Sequence, residues 1–567
     1  MSKKMIRKIA PWMIGVLITT LLFAALKSIS YFRFENSDDI LFVKGFMGFE
    51  GGKPMKFNLY TNVVLVKLLG VLSAVMPAVA WFSVYQLGLL WISGVVIVKS
   101  FVQISANNQR SYLMGALAGA VFLGVLATFA FCRITYTSTV AWACAAAVAQ
   151  ILSIDRNSTD SQYISKIILS VVLLSCGYLL RAEAVLPAVP FIGLALLYRF
   201  IKFDETNQKY MVVTKQLVTS ILLFIAVFAL LFAMRALEIS LSDQSSYVKW
   251  SQARIDLFDY TGFESDIEPA LNAQTDLSEA EITLLQDWYF MDERITIDRL
   301  LAMSQAYEGH TTNDVFSNIS SFFSSNKRYI TSIWLVICAA AFCLLRRRRN
   351  TSLLFVIAAA VAAALTMLLY LSVKGRIIFR AVDCIWLPMA SLIGCLFIEN
   401  ADLLGKHAKT QKIIAVALSI MMVFSIGLTG SQLWQTVRSK PDEISLQRES
   451  EIEAFALENP DKLVLRKPSL LRDTRLFPDV SEGMPTNIMI WGDWYARTPS
   501  WYSQLESFGI DGETFNAQDW LNPAILFASQ DDLPPQALIN YISEYVGHPI
   551  TAQVYGEYGS LKFFSFQ

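Results

Sequence analysis

Two adjacent carboxylates, Asp38 and Asp39, stand just beyond the first long apolar run of the chain, Pro11–Tyr31. A glycine-rich turn follows (Gly48, Gly51, Gly52), and then Lys53 and Pro54. A carboxylate at a membrane surface can take the proton of a hydroxyl as that hydroxyl attacks an electrophilic carbon. Two in succession can divide the work, one as base, the other orienting the acceptor or holding a divalent metal ion. Asp39 is farther from the apolar run and nearer the turn, which favours it as the base. The plainer reading is that span ends are often acidic and that Asp starts helices well.

Basic residues near other span ends supply the complementary chemistry. Arg181 and Glu183 sit between two apolar runs in LLRAEAVLP. At i and i+2 they do not face each other on a helix. Arg376 and Arg380, at i and i+4, could share a helix face. A charge at the edge of a bilayer needs a partner. One candidate is a phosphate, which guanidinium groups grip bidentately. The other is snorkelling or structural pairing, with Asp383 three residues beyond Arg380. Lys53 and Lys56 could also meet a phosphate, although loop lysines are usually solvated. The segment Trp491–Gly492–Asp493–Trp494–Tyr495 either offers sugar rings a stacking surface or is the packed end of a strand.

Absences narrow the field. No Walker A, Rossmann or GxSxG pattern occurs, which argues against a nucleotide donor and against a serine hydrolase. The seven cysteines lie in or beside apolar runs, with no CxxC pair, and the three histidines are scattered. No disulfide framework and no Cys- or His-based metal site is expected. The formal net charge is +0, so no basic excess points to nucleic acid.

The elements that must position these residues are mostly apolar helices. With 54% hydrophobic and 17% charged residues, the composition is that of a polytopic α-helical membrane protein. Lys3, Lys4, Arg7 and Lys8 precede the first run, which reads as a retained span with its N-terminus in the cytoplasm. Further spans are expected at Val79–Val98, Leu113–Phe131, Thr135–Leu152, Ile164–Leu180, Ala184–Phe200, Val218–Met234, Tyr329–Leu345, Leu353–Val373, Val382–Ile398 and Ile413–Leu428. Leu59–Met76 is the ambiguous run. The strongest cytoplasmic marker, Arg346–Arg349, falls inside only if Leu59–Met76 does not cross. The expectation is therefore about 11 spans, with Leu59–Met76 lying on the outer surface as a weakly amphipathic helix.

Residues 1–430 form the expected membrane domain, with outer loops at 32–78 and 238–327. In the second loop, Ser278 and Glu281 have capping-box spacing. Residues 431–567 read as a small extracytoplasmic α/β domain, with strand-like pieces at Lys462–Leu465, Asn487–Trp491, Ala524–Ala528 and Leu561–Phe566.

On these features the chain resembles the GT-C class of membrane glycosyltransferases, whose members transfer lipid-A aminoarabinose or O-mannose. The resemblance rests on the acidic pair in the first outer loop, Gly52–Lys53–Pro54 leading to a surface helix, the further spans and the outer C-terminal domain. It is similar in closer detail to uncharacterised bacterial multi-span proteins, through Asp38–Asp39, Pro77 with Trp81, and Ala253–Arg254, Asp259–Tyr260, Trp288 and Asp292. The Trp-Trp-Asp-Tyr-Gly motif of oligosaccharyltransferases is absent. The resemblance implies an inverting transferase in a bacterial cytoplasmic membrane that moves a sugar from a polyprenyl-phosphate donor to a cell-surface glycan, lipid or protein. Asp38 and Asp39 take the acceptor position, and Arg181, Arg376 and Arg380 the leaving phosphate. The rival readings are a polysaccharide polymerase or ligase, and a lipid-linked-sugar flippase or exporter. The nearly charge-free middles of the spans count against a flippase.

Overall fold

Backbone in contact with lipid has no water to bond, so apolar runs must close their hydrogen bonds internally as helices. The computed structural model describes residues 3–49, 51–155, 160–204, 209–212, 214–241, 244–260, 263, 276–307, 315–326, 329, 333, 336–341, 351–400, 427, 430–470 and 474–567. Among them, 8 helices are long and apolar enough to cross a membrane.

The order begins with α1 (Lys3–Ile29), β1 (Arg33–Phe34) and α2 (Ser37–Met47). Next come α3 (Val63–Val75), α4 (Trp81–Asn107), α5 (Tyr112–Cys132), β2 (Arg133–Ile134) and α6 (Tyr136–Leu152). After α7 (Asp160–Leu180), the next run is broken into α8 (Ala182–Val185), a 3-10 turn and α9 (Val189–Phe200). Pro187 lies in that turn and Pro190 at the start of α9, where a missing N–H costs little. A hairpin, β3 (Ile201–Asp204) and β4 (Lys209–Val212), leads to α10 (Thr214–Leu241) and α11 (Ser245–Tyr260). Then follow α12 (Glu279–Gln286), α13 (Ile297–Tyr307), α14 (Val315–Ser325), α15 (Thr351–Val373) and α16 (Phe379–Asn400). The expected capping box opens α12, with Ser278 and Glu281 each bonding the other's backbone N–H.

The bundle is organised around α6. All its residues are buried, and it packs against α4, α7 and α16. Its run of Ala and Cys lets neighbouring helices approach closely. At 17 residues it is shorter than the eight helices of spanning length. Of the expected spans, Ile413–Leu428 lies almost wholly outside the described residues, and Tyr329–Leu345 mostly so, as does the Arg346–Arg349 run. The described bundle therefore carries fewer spanning helices than the eleven expected. Lys99 interrupts the charge-free interior: its Nζ donates to Gln150 Oε1 at 2.6 Å and lies 5.4 Å from the Trp12 ring centroid.

The ambiguous run is the 13-residue α3, about 20 Å long at 1.5 Å per residue and too short for a bilayer core. Its apolar residues are divided between a buried and an exposed face. Leu65, Val66, Leu69 and Ser73 face the protein, while Leu68, Val71 and Val75 are exposed. Leu65 and Leu68 are thus separated by packing.

The C-terminal region contains α17 (Glu443–Glu458) and a mixed sheet in the order β6-β5-β7-β9-β8. Its strands are β5 (Leu463–Arg466), β6 (Ile488–Ile490), β7 (Ile525–Ser529), β8 (Ala552–Tyr558) and β9 (Leu561–Phe566). The central β5 and β7 are fully buried and parallel. The edge strand β8, missed in the sequence, is largely exposed and carries an irregularity between Val554 and Gly556. Helices α18 (Pro499–Ser507) and α19 (Gln536–Val546) complete this part.

A buried ion network fastens it to α2. Lys44 Nζ bonds Glu449 and, at 2.8 Å, Glu453, while Arg466 bonds the second oxygen of Glu449. Phe34 N–H donates to Thr474 O at 2.9 Å. Beside this, β1 pairs with β2, and Arg133 bonds Glu35 at 2.5 Å. The ends of α1 and α5 and the C-terminal sheet thus meet at one end of the bundle.

Candidate functional site

The site starts at the first turn of α2, whose N-cap is Asn36. Asp38 and Asp39 follow in positions where negative charge suits the helix dipole. Being successive, they point in different directions. Asp39 is fully buried. Its Oδ1 accepts from Gln86 Nε2 and from the Tyr136 N–H, both at 2.9 Å. The latter is one of the orphan donors at the start of α6, so Asp39 caps that helix alongside Thr135. Its Oδ2 is buried with no partner among the described residues. Burial, reinforced by the Asp38 charge and opposed by the Gln86 and Tyr136 bonds, pushes its carboxyl up to about 8.

Asp38 is 23% exposed and faces Arg380, 3.3 Å away at the start of α16. Arg376, on the turn before α16, meets Asp259 of α11 at 2.8 Å. Asp383 instead accepts from Ser138 Oγ at 2.8 Å and from Tyr329 Oη at 2.5 Å. Arg181 closes the inner side. Its Nη1 donates to Tyr136 Oη and Thr137 Oγ1, each at 2.7 Å, and its guanidinium lies against the rings of Tyr60 and Tyr136.

The C-terminal part adds Asp493, which lies within Coulombic reach of Asp38, Asp259 and Arg254. Burial, with the Asp38 charge adding, pushes Asp493 up to about 6. Around one place the fold thus assembles Asp38, Asp259 and Asp493 with Arg181, Arg254, Arg376 and Arg380. Guanidinium groups outnumber carboxylates in this set, and an anionic ligand would restore the balance.

Of the residues singled out from sequence, Asp38, Arg181, Arg376 and Arg380 converge here. Glu183 points outward, 56% exposed, with Arg235 at 3.8 Å. Lys53 is exposed and makes no ion pair among the described residues. The turn that carries it is docked on the C-terminal part, with Gly51 N–H donating to Thr486 O at 3.2 Å. It does not hang free above the acidic pair. In the aromatic segment, Trp491, Trp494 and Tyr495 are all buried, so it is the packed end of β6. Among the described residues no three Asp, Glu, His or Cys side chains are grouped to hold a metal ion.

Sequence reasoning left Arg254, Asp259 and Asp493 without a role, and Tyr60, Gln86 and Tyr136 unnoticed. A signal existed for Asp493, since a carboxylate inside an aromatic run needs a partner or a task. None existed for Gln86 and Tyr136, which look like ordinary helix residues until α2 packs on them.

Fold and site together define a helix-rich protein with apolar helices of spanning length, a small C-terminal mixed sheet and a charged cluster where the two meet. The sequence matches no protein-family model and no curated protein.

Proposed function

We propose that this chain is an inverting glycosyltransferase of GT-C type in a bacterial cytoplasmic membrane, using a polyprenyl-phosphate sugar on the outer face. The observation that carries the reading is Asp38, a partly exposed carboxylate at a helix start, set among Arg380, Arg376 and Arg181. Asp38 takes the proton of the acceptor hydroxyl as its oxygen bonds the anomeric carbon. The bond from that carbon to the lipid phosphate oxygen breaks, and the arginines receive the phosphate charge. Asp39 is not the base in this scheme. A carboxyl with its pKa near 8, buried against Gln86 and the start of α6, keeps its proton and holds α2 in place.

The elements of the site lie together at one end of the bundle. Lys44 with Glu449, Arg376 with Asp259, and β1 with β2 put the α1–α2 junction, α11 and the C-terminal sheet at one end. With the basic N-terminus in the cytoplasm, that end is outside, where a lipid-linked donor is available and a nucleotide sugar is not.

The test is transfer of labelled sugar from synthetic polyprenyl-phosphate donors by purified protein. Asp38→Asn should lose roughly 100- to 10,000-fold in rate, with its melting temperature unchanged. A near-wild-type rate for Asp38→Asn removes the base and with it the chemical support for this function.

A further inference from the structure

Backbone strain is concentrated beside the charged cluster. Among the described residues, the non-glycine positions with positive φ are Gln109, Asp276, Trp288, Asp493 and Arg497. Trp288, Asp493 and Arg497, with φ of 63°, 64° and 64°, lie on two segments that meet. Phe290 N–H donates to Trp491 O at 3.0 Å, and Arg497 Nε donates to Phe290 O at 3.4 Å. The contact is so close that a Cβ on Gly492 would stand 1.5 Å from Trp288 O. Left-handed backbone is unfavourable for residues with a Cβ, and it persists where the surroundings impose it, often at ligand sites.

An open donor lies at the same place. Arg254 is 3% exposed, and its Nε has no hydrogen-bond partner among the described residues. One Nη approaches Tyr60 Oη at 3.5 Å, and the guanidinium lies 5.8 Å from the Trp288 ring centroid. Leaving a buried donor unmet is costly, and a ligand acceptor would satisfy it. Asp493, in Coulombic contact with Arg254, has its carboxylate fixed by the Trp494 N–H at 2.6 Å. Trp288 is only partly buried, whereas Trp491 and Trp494 are packed away.

We infer that Trp288, Arg254 and Asp493 form a subsite for a hydroxyl-rich pyranose ring, beside the arginines that take its phosphate. The indole covers the apolar C–H face of the ring. Asp493 accepts from ring hydroxyls, and Arg254 donates to a ring or hydroxyl oxygen. The inference rests on the glycosyl-transfer reading and names the residues that recognise the sugar. It makes the C-terminal part a contributor to the site, through Asp493.

Binding to the full chain in lipid nanodiscs separates the two. The probes are farnesyl phosphate and farnesyl phosphates bearing glucose, galactose, mannose or N-acetylglucosamine. At least one sugar-bearing lipid should bind about tenfold or more tighter than farnesyl phosphate. Asp493→Asn, which accepts left-handed backbone, should abolish that gain without weakening farnesyl phosphate itself. Asp493→Gly, which also accepts left-handed backbone, should do the same. If farnesyl phosphate binds and the sugar gain is absent, or survives in both Asp493 variants, the subsite is wrong and the phosphate reading stands. If no probe binds, both are wrong.

Discussion

At the residue scale, two neighbouring aspartates are divided by the roughly 100° step between successive helix residues. Asp38 looks toward Arg380, and Asp39 looks into the protein. The difference has a measurable sign. Asp39 has its pKa raised from 3.8 to about 8, so between those values the unfolded chain releases a proton that the folded chain keeps. Its contribution to stability is full below the unfolded value, falls as pH rises through the window, and is flat above about 8. The slope is about 1.4 kcal/mol per pH unit while that single proton is withheld. Asp39→Asn copies the neutral acid, keeps an oxygen for Gln86 and Tyr136, and should remove this loss. Chemical denaturation of both proteins at pH 5 and pH 8 is the check. The variant should be less sensitive to pH, and an unchanged dependence would mean that Asp39 is ionised in the fold.

At the element scale, α2 is positioned from its far end. Burial pushes the Glu449 carboxyl up, but the Arg466 and Lys44 charges outweigh it and hold it below the usual carboxylate range. Glu449→Gln would leave the buried Arg466 without its countercharge and Lys44 with Glu453 alone, at a cost of about 3–5 kcal/mol. The expected result is a markedly lower melting temperature and faster proteolysis near residues 431–442. Lys44→Met should cost less, because Arg466 still meets Glu449 and Arg475 meets Glu453 at 3.3 Å. Equal stability of Glu449→Gln and wild type would show that apolar packing of α2, through contacts such as Phe42 with Trp494, does the docking instead.

At the scale of the whole molecule, one side of the membrane must hold the acidic turn, α11 and the C-terminal sheet, since they touch. Lys53 is exposed on the turn that docks against Thr486. On the proposed orientation, a membrane-impermeant maleimide applied to intact cells should label Lys53→Cys. A reporter fused after Gln567 should read as extracytoplasmic and one after Arg348 as cytoplasmic. Protection of the Lys53 position with an exposed C-terminal reporter would contradict the packing itself, and both reporters on one side would overturn the orientation.

Much of this architecture is legible without coordinates. Long apolar runs in lipid have no alternative to helix, so α5, α7 and α15 fall where hydropathy puts them, while α4 runs on past Val98 to Asn107. The buried strands β5 and β7 are apolar up to their last residues, Arg466 and Ser529, and they stand out for the same reason. Exposed β8 carries no such pattern and was missed. Function depends on meetings between residues far apart in the chain, which periodicity does not encode. Asp38 with Arg380, Arg376 with Asp259, and Arg254 with Trp288 each exist only because helices and loops cross at one end of the bundle. The roles of Asp38 and Asp39 differ for the same reason. Both are Asp to the sequence, and only the packing of α2 against Gln86 and the start of α6 withdraws water from one and leaves it with the other.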